Sequence, residues 1–477
     1  MRVYPSWLVA VMAPLFAWFV VDGQLPNGVI IGDGTSARLA RSLAIVRAST
    51  AAQPQVLRVL FYGQSLTSPH WTDLAQEHLR RTYLRTQFVV RNMAIGGFSA
   101  KQLERTVERD VTDFYPDLLI FHAYGDHRSY ERIIRIIRSR TAAEIIAQTD
   151  PVKEPVEPVC PEGFHLTLSP PPGCKGVLYY TQRNWEEYMS SVIIPSLASR
   201  YALAVEPQRT MWDAFLREKN IRPTSLWDDS GHPNAAGWRL MAEIFDRYFD
   251  KALADYSGER SGLVIAYPPP ANGEVKNYQF NGNRVEIIGS GPLDGHVTAR
   301  IDGLEPNAID GCWQTSRTTS LVNVPDWPAI RQVTISSGFN QAEAWTATVT
   351  HLNADQSDFD FTLIGSKTGA DGQGRASSDF TSPSGRVHIA ATDWMIPVGF
   401  ALTQKKLPEG VKVSWSRDFV CRDLPTVPLG AGAIEVRHIL ATGLLNGPHQ
   451  LTLEVEPSVE ASVHEIRVYR PPLLDIN

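Results

Sequence analysis

Apolar residues in the first half of the chain form short runs that alternate with longer segments of helical period. Runs rich in β-branched residues predict five buried parallel strands: Val56–Tyr62, Gln87–Arg91, Asp117–Ala123, Glu144–Gln148 and Ala202–Glu206. Between them, as in residues 71–79, apolar positions recur three or four residues apart. This alternation predicts an α/β domain over residues 52–256, with a doubly wound, five-stranded parallel sheet.

The second half of the chain has a different pattern. Short runs of alternating polar and apolar residues are separated by Gly, Asn, Asp and Pro, at 284–288, 296–301, 344–349, 359–364, 451–455 and 465–469. This pattern predicts an antiparallel β-sandwich over residues 274–477. The Pro-rich stretch 266–273 is typical of an interdomain linker, and a chain of 477 residues is long enough for two or three domains.

The first 23 residues predict export. Arg2 precedes an apolar run from Trp7 to Val21, the arrangement of a secretory signal peptide. The run is almost long enough to cross a bilayer, so an uncleaved membrane anchor is the alternative. We therefore expect a secreted or periplasmic protein, with membrane anchoring left open.

Export gives the four cysteines a meaning, because an oxidising compartment favours disulfides. Cys160 and Cys174 lie in a Pro-rich stretch, whereas Cys312 and Cys421 lie in the second half. The simplest connectivity is one bond within each pair, and free buried thiols are the alternative. The Pro-rich insertion, residues 150–176, follows the fourth strand, so we expect it to border the substrate cleft.

The net charge removes one class of partner. A formal net charge of −6 supplies no basic field to concentrate phosphate backbones, so we expect no nucleic acid partner. The oligomeric state is not indicated by any sequence pattern.

Ser65 is the candidate nucleophile. It lies in Tyr62-Gly63-Gln64-Ser65-Leu66-Thr67, directly after the first predicted strand and shortly before a segment of helical period. A serine at such a turn is exposed at the top of the sheet, near helix N–H groups. The alternative is that Ser65 only caps the helix, as serines before helices often do.

Asp229 and His232 are the candidate acid and general base. They lie three residues apart in Trp227-Asp228-Asp229-Ser230-Gly231-His232, before the last predicted helix of the α/β domain. On a loop, this spacing lets a carboxylate hold one imidazole nitrogen while the other accepts a proton from a serine. Asp228 is the competing acid, but the three-residue offset favours Asp229. A polar turn with an aspartate cap is the non-catalytic alternative.

Residues 56–249 resemble the SGNH (GDSL-like) hydrolases, whose four sequence blocks supply Ser, Gly, Asn and His in that order. Gly63-Gln64-Ser65 matches the first block, residues 92–99 resemble the second, and residues 229–232 match the last. The resemblance implies an oxyanion hole formed by the backbone N–H groups of Ser65 and Gly97.

The third block departs from this pattern. Where members of the family have Asn as a further oxyanion donor, this chain has His127. An imidazole N–H can replace the amide donor, and loss of such a donor costs about a hundredfold in rate. His127 as an ordinary polar loop residue is the alternative, and both remain open.

The resemblance implies a serine esterase that acts through a covalent acyl-enzyme, without metal or organic cofactor. A zinc site would have to combine His122, His127 and His232, and their spacing does not favour one. Two alternatives remain: a non-catalytic carbohydrate-binding protein that retains the hydrolase fold, and an acyltransferase or lipid esterase.

The predicted sandwich suggests the substrate class. It loosely resembles the accessory jelly-roll modules of carbohydrate-active enzymes, which implies O-acyl, especially O-acetyl, esters on a polysaccharide. Its tryptophans could stack on sugars, but most sandwich tryptophans belong to the core. The residues concerned are Trp313, Trp327, Trp345, Trp394 and Trp415.

Overall fold

The computed structural model describes residues 32, 34–153, 182–228, 231–271, 273–424, 427–428 and 434–474. The predicted signal peptide, the Cys160 and Cys174 pair, and most of the Pro-rich insertion lie outside these residues. Among the described helices, none combines the length and apolar character that crossing a bilayer requires.

The first half contains the predicted five-stranded parallel sheet. Its strands, numbered along the chain, are β1 (Gln55–Gly63), β2 (Thr86–Asn92), β3 (Leu118–His122), β4 (Glu144–Gln148) and β5 (Ala204–Glu206). Their order in the sheet is β2-β1-β3-β4-β5, and every neighbouring pair is parallel. After β1 the chain adds β2 on one side of it and β3, β4 and β5 on the other, so the strand order reverses at β1. Ligands of such sheets bind at the carboxyl ends of the strands near this reversal.

Helices cover both faces of this sheet. In chain order they are α1 (Thr35–Arg38), α2 (Ala40–Ala48), α3 (Pro69–Thr82), α4 (Ala100–Leu103), α5 (Val107–Phe114), α6 (His127–Arg140), α7 (Gln182–Tyr188), α8 (Ile194–Tyr201), α9 (Gln208–Lys219) and α10 (Ala235–Ala254). A π-helical turn, Met189–Ile193, joins α7 to α8, and a 3-10 turn, Pro223–Leu226, precedes the loop that carries His232. One hydrophobic cluster packs α2, α3, α9 and α10 against one face of the sheet, and another packs α5, α6 and α8 against the other. The fold class predicted for this half is confirmed.

The second half is built from antiparallel sheets, as predicted. Its elements are β6 (Val264–Tyr267), β7 (Lys276–Gly282), β8 (Arg284–Gly289), β9 (Val297–Ile301), β10 (Trp313–Thr315), β11 (Ser320–Leu321), β12 (Val324–Pro328), β13 (Thr334–Ile335), β14 (Glu343–Thr350), β15 (Asp360–Gly365), β16 (Gly369–Arg375), β17 (Phe380–Thr381), β18 (Val387–Ile389), α11 (Ile396–Thr403), β19 (Lys412–Phe419), β20 (Val427–Pro428), β21 (Ile434–Ala441), β22 (Gly447–Val455) and β23 (Val463–Tyr469). Short 3-10 turns lie at Pro306–Ala308, Asp310–Cys312, Ala391–Asp393 and Glu460–Ser462.

These strands form two separate cores. The sheet β20-β21-β8-β23-β6 packs on β7-β22-β9 around one cluster, whereas β10-β19-β14-β15-β16 encloses a second cluster together with β13-β18-β17. A disulfide between Cys312 and Cys421, as in the simplest predicted connectivity, closes the segment 313–420, which contains the second cluster. The predicted linker, residues 266–273, begins inside the sheet, because Val264–Tyr267 pairs with β23.

The segment 313–420 packs directly on the α/β half. The hydrophobic cluster around Trp345 and Trp415 is continuous with the cluster formed by α5, α6 and the sheet. Arg105 in the α/β half donates two hydrogen bonds to the buried carboxylate of Asp393, at 3.0 and 2.6 Å. The two halves therefore share a core and charged contacts.

Candidate active site

Ser65 lies at the carboxyl edge of the parallel sheet, two residues beyond β1. Gly63 ends that strand with φ 155°, and a Cβ there would lie 1.9 Å from the carbonyl oxygen of His122. Only glycine therefore fits where β1 and β3 separate. The cap of α3 is Ser68, whose Oγ accepts a hydrogen bond from the His70 amide at 3.3 Å. Ser65 is therefore not the helix cap.

The Ser65 hydroxyl contacts the imidazole of His232. Ser65 Oγ and His232 Nε2 are 2.9 Å apart, although the two residues are separated by 167 positions. A tight loop holds the histidine: the Asp228 amide donates to the His232 carbonyl at 2.7 Å, and the His232 amide donates to Asp228 Oδ1 at 3.0 Å. Asn234 then caps α10. The fold thus brings together the predicted nucleophile and the predicted base.

The predicted acid, Asp229, lies outside the described residues, so its role stays a prediction. The neighbouring Asp228 accepts a hydrogen bond from the main chain of His232, which gives this carboxylate a part in closing the loop.

The predicted oxyanion loop runs alongside Ser65. After β2, the Ile95 amide donates to the Gly63 carbonyl at 3.0 Å and keeps the loop against the end of β1. The next residue, Gly96, is so close to Ser65 that a Cβ added to it would lie 3.8 Å from Ser65 Cβ. Gly97 follows with φ 80°, a left-handed conformation that favours glycine.

Two backbone N–H groups are available at this point. Within the described part of the chain, the amides of Ser65 and Gly97 donate no hydrogen bond to another protein group. An oxyanion hole requires such donors, already oriented and without a competing acceptor. The arrangement is compatible with the predicted role of both residues, which stays a prediction.

His127, the predicted third donor, is the first residue of α6. Its Nδ1 lies 4.0 Å from the carboxylate of Asp126, the helix cap, and its ring lies 5.6 Å from that of Trp185. It does not belong to the described residues that line the pocket around Ser65. The structure therefore places His127 beside Trp185, and its part in catalysis stays a prediction.

A second chain of hydrogen bonds reaches Ser65 from the interior. Gln64 Oε1 lies 2.9 Å from Ser65 Oγ and accepts a hydrogen bond from the Leu66 amide at 3.1 Å. Gln64 Nε2 lies 2.9 Å from His122 Nδ1, and His122 Nε2 lies 2.9 Å from Asp150 Oδ1. The side chains of Gln64, His122 and Asp150 are all buried.

The polarity of this chain follows from its two ends. The Leu66 N–H can only donate, so it orients the Gln64 carboxamide with Oε1 toward Ser65 and Nε2 toward His122. His122 Nδ1 therefore accepts, and its Nε2–H donates to the carboxylate of Asp150. Gln64 thus offers Ser65 an acceptor only, and because Ser65 has one hydroxyl proton, that proton must turn from Gln64 Oε1 to His232 Nε2 before it can be transferred. Polar residues at the carboxyl ends of predicted strands were the available sequence signal, but the sequence does not reveal that they contact one another.

The pocket around Ser65 has a volume of about 530 Å³ and includes a residue from the second half of the chain. Lining residues include Ser65, Asn92, Gly96, His232, Trp238 and Asp326. The exposed Asp326 lies on β12, more than 250 residues after Ser65, and its contribution to the pocket could not be predicted from the sequence.

The second half also holds the predicted oxyanion loop through Arg317, which pairs with the buried carboxylate of Asp110. Arg317 donates to the Met93 carbonyl at 2.9 Å and to both carboxylate oxygens of Asp110, at 2.9 and 2.8 Å. Burial disfavours the charged form of Asp110, but Arg109 and Arg317 outweigh it and keep the pKa of Asp110 below its usual value. Arg317 therefore stays anchored and fixes the start of the loop.

Of the three histidines considered for zinc, His122 contacts Asp150 and His232 contacts Ser65, whereas His127 lies beside Asp126 and Trp185. Elsewhere in the described residues, Asp294, Asp423 and His438 bring their donor atoms together within 4.8 Å. His438 Nδ1 lies 2.9 Å from Asp423 and 3.2 Å from Asp294, so these side chains bond one another.

The fold and site define a doubly wound α/β protein with a Ser–His pair at the carboxyl edge of its sheet. No protein-family model and no curated protein sequence matches the chain. Among solved structures, it is similar to a two-domain esterase (CEX) active on acetylated mannans, with 14% identity, a TM-score of 0.37, and coverage of 94% of this chain and 99% of that chain.

Two shorter structures match about two fifths of the chain. One is the acetyl xylan esterase AlAXEase, with 17% identity, a TM-score of 0.31, and coverage of 40% of this chain and 98% of that chain. The other is Axe2, an acetylxylan esterase from Geobacillus stearothermophilus, with 16% identity, a TM-score of 0.31, and coverage of 43% and 97%. All three of these neighbours are named as esterases. The likenesses are remote, and the chemistry proposed below depends on this chain's own side chains.

Proposed function

We propose that this protein is an exported serine esterase that hydrolyses O-acyl esters, chiefly O-acetyl groups on a polysaccharide. The observation that carries the proposal is the 2.9 Å contact between Ser65 Oγ and His232 Nε2 at the carboxyl edge of the parallel sheet. This contact joins a nucleophile to a base within the reach that proton transfer requires.

The reaction follows from these positions. His232 Nε2 removes the Ser65 proton as Oγ attacks the ester carbonyl, and the N–H groups of Ser65 and Gly97 stabilise the negative oxygen of the tetrahedral intermediate. The imidazolium, oriented by Asp229, then protonates the leaving alcohol. A water molecule, deprotonated by His232, releases the acid and restores Ser65. This mechanism requires neither a metal nor an organic cofactor.

The pocket favours a small acyl group on a large alcohol. Its lining is polar near Ser65, with Asn92 and Asp326, and its volume of about 530 Å³ exceeds the needs of an acetyl group. An acetyl group can lie near Ser65 while the rest of the pocket accommodates the sugar that carries it. The Cys312–Cys421 disulfide supports an oxidising compartment, as expected for an exported protein.

The proposal is tested by hydrolysis of p-nitrophenyl acetate and by acetate release from acetylated mannan and xylan. We expect the wild type to turn over both kinds of substrate and Ser65→Ala to lose at least about a thousandfold in kcat. Ser257→Ala is the matched control, because Ser257 is an exposed serine that bonds Glu259 on the surface. Glycan binding without turnover in the wild type would refute the esterase and favour the binding protein.

A further inference from the structure

Trp327 of the second half makes a direct hydrogen bond to the predicted oxyanion loop. Its indole Nε1–H donates to the carbonyl oxygen of Gly96 at 2.6 Å. The same ring lies against the next residue, since a Cβ added to Gly97 would lie 3.2 Å from Trp327 Cζ2. Phe98 packs edge-on against the indole, with ring centroids 5.3 Å apart. Trp327 is only 3% exposed, so its position is fixed by packing.

This contact determines the direction of the Gly97 N–H. The Gly96 carbonyl and the Gly97 N–H belong to one peptide unit, and among the described residues no peptide bond is cis. In a trans peptide the N–H points opposite to the C=O. Because the carbonyl points at the indole, the N–H of Gly97 points away from it.

The peptide unit between Gly96 and Gly97 needs such an anchor. Neither residue has a side chain, so steric barriers to rotation of this peptide are low. Without a hydrogen bond to the Gly96 carbonyl, the unit could rotate and turn this carbonyl, rather than the Gly97 N–H, toward a developing oxyanion. The hydrogen bond from Trp327 opposes that rotation, and the Arg317 bond to the Met93 carbonyl holds the same loop four residues before Gly97.

We infer that Trp327 is a positioning residue for catalysis: it orients the Gly96–Gly97 peptide so that the Gly97 N–H serves the oxyanion hole. The inference rests on the proposed esterase function. It also assigns the segment 313–420 a task in the chemical step, in addition to any contact with substrate. A donor that acts on the transition state changes kcat, whereas a residue that only contacts the substrate changes KM.

The test compares Trp327→Phe with Trp415→Phe in the full chain. Trp415 is equally buried, at 3% exposed, lies in the same segment, and has an indole N–H without a described partner, so the control repeats the loss of volume without loss of a hydrogen bond. With p-nitrophenyl acetate, we expect Trp327→Phe to lower kcat about 10- to 100-fold while KM changes less than about threefold. Trp415→Phe should retain kcat within about twofold of the wild type.

Two further measurements separate positioning from a general structural effect. Affinity for a boronic acid that forms a tetrahedral adduct with Ser65 should fall by a factor similar to that in kcat. If Trp327→Phe does not fold, by circular dichroism and thermal unfolding, benzothienylalanine incorporated at position 327 keeps the ring and removes only the N–H donor; it should lower kcat in the same way.

The outcomes distinguish the two proposals. An active wild type whose kcat is unchanged by loss of the Trp327 N–H, relative to Trp415→Phe, would overturn the positioning role alone. A correctly folded wild type without esterase activity would overturn the proposed function and the positioning role together.

Discussion

The buried series of hydrogen bonds that joins Gln64, His122 and Asp150 provides the most quantitative prediction. Gln64→Leu keeps a side chain of similar size but removes the donor to His122 Nδ1 and the acceptor for the Leu66 amide. Gln64 is 0% exposed and His122 is 2% exposed, so water cannot easily replace the lost partner of the imidazole. An orphaned buried polar group costs about 1–3 kcal/mol. Because the second affected group, the Leu66 amide, is only half-buried and can be partly solvated, we expect the free energy of unfolding to fall by about 2–4 kcal/mol in total.

The same variant should lower activity. Gln64 Oε1 lies 2.9 Å from Ser65 Oγ, so its removal leaves the hydroxyl with His232 as its remaining described partner. Loss of one positioning contact at a nucleophile should lower kcat about tenfold, because small misplacements of reacting atoms are costly. Gln64→Glu retains acceptors for Ser65 and Leu66, and we expect a smaller loss of kcat than for Gln64→Leu.

The assay is urea unfolding followed by tryptophan fluorescence and by residual p-nitrophenyl acetate hydrolysis. Gln76→Leu is the control, since Gln76 is a half-buried glutamine on α3 whose amide bonds Asp73 at the surface, and it should change stability by less than about 0.5 kcal/mol. His122→Leu and the double variant complete a cycle, in which a coupled chain gives a coupling energy of at least about 1 kcal/mol. Additive effects, or a Gln64→Leu variant as stable as the control, would refute the proposed chain.

Four further predictions concern acid assignment, buried charges and the disulfide. Asp229→Asn should lower kcat about a thousandfold or more by losing the partner that orients the imidazole, measured by steady-state kinetics with Asp228→Asn as comparison; equal effects would contradict the assignment. Burial raises the pKa of Glu206 to about 8, so the native state holds a proton that the unfolded state releases near pH 4.3. Native stability therefore falls as pH rises from about 4.5 to 8. Over that window Glu206→Gln, which carries no titratable group there, should gain thermal stability relative to the wild type. Burial disfavours the charged form of Asp117, but neighbouring arginines outweigh it and keep the pKa of Asp117 low. Asp117→Asn should therefore destabilise the protein by about 3 kcal/mol at pH 7 and by less below pH 4. A loss of stability that does not depend on pH would argue against the ion pairs. Reducing the Cys312–Cys421 bond, with a separation of 109 residues, should lower the free energy of unfolding by about 4 kcal/mol. Reductant should therefore lower the thermal midpoint of the wild type, but it should not shift the midpoint of a variant in which both cysteines are replaced by alanine.

The sequence alone predicted the fold class and the two central residues of the site, Ser65 and His232. Buried runs separated by helical segments predicted the parallel sheet, because the apolar period depends on local backbone geometry and is visible in any one segment. Ser65 follows a strand and His232 precedes a helix, and both positions belong to the same edge of such a sheet. Their 2.9 Å contact was therefore an expectation that depended on topology more than on packing detail.

The tertiary structure alone decided which distant groups complete the site. His122 and Asp150 reach Ser65 through Gln64, and Trp327 reaches Gly96 across 231 positions of the sequence. The first set of contacts depends on how the strand ends and loops of the α/β half meet, and the Trp327 contact depends on how one half of the chain packs on the other. No local period encodes the relative placement of such distant groups. For the same reason, the sequence suggested sugar stacking or core packing for Trp327, whereas its burial against the Gly96–Gly97 loop gives its N–H a specific partner.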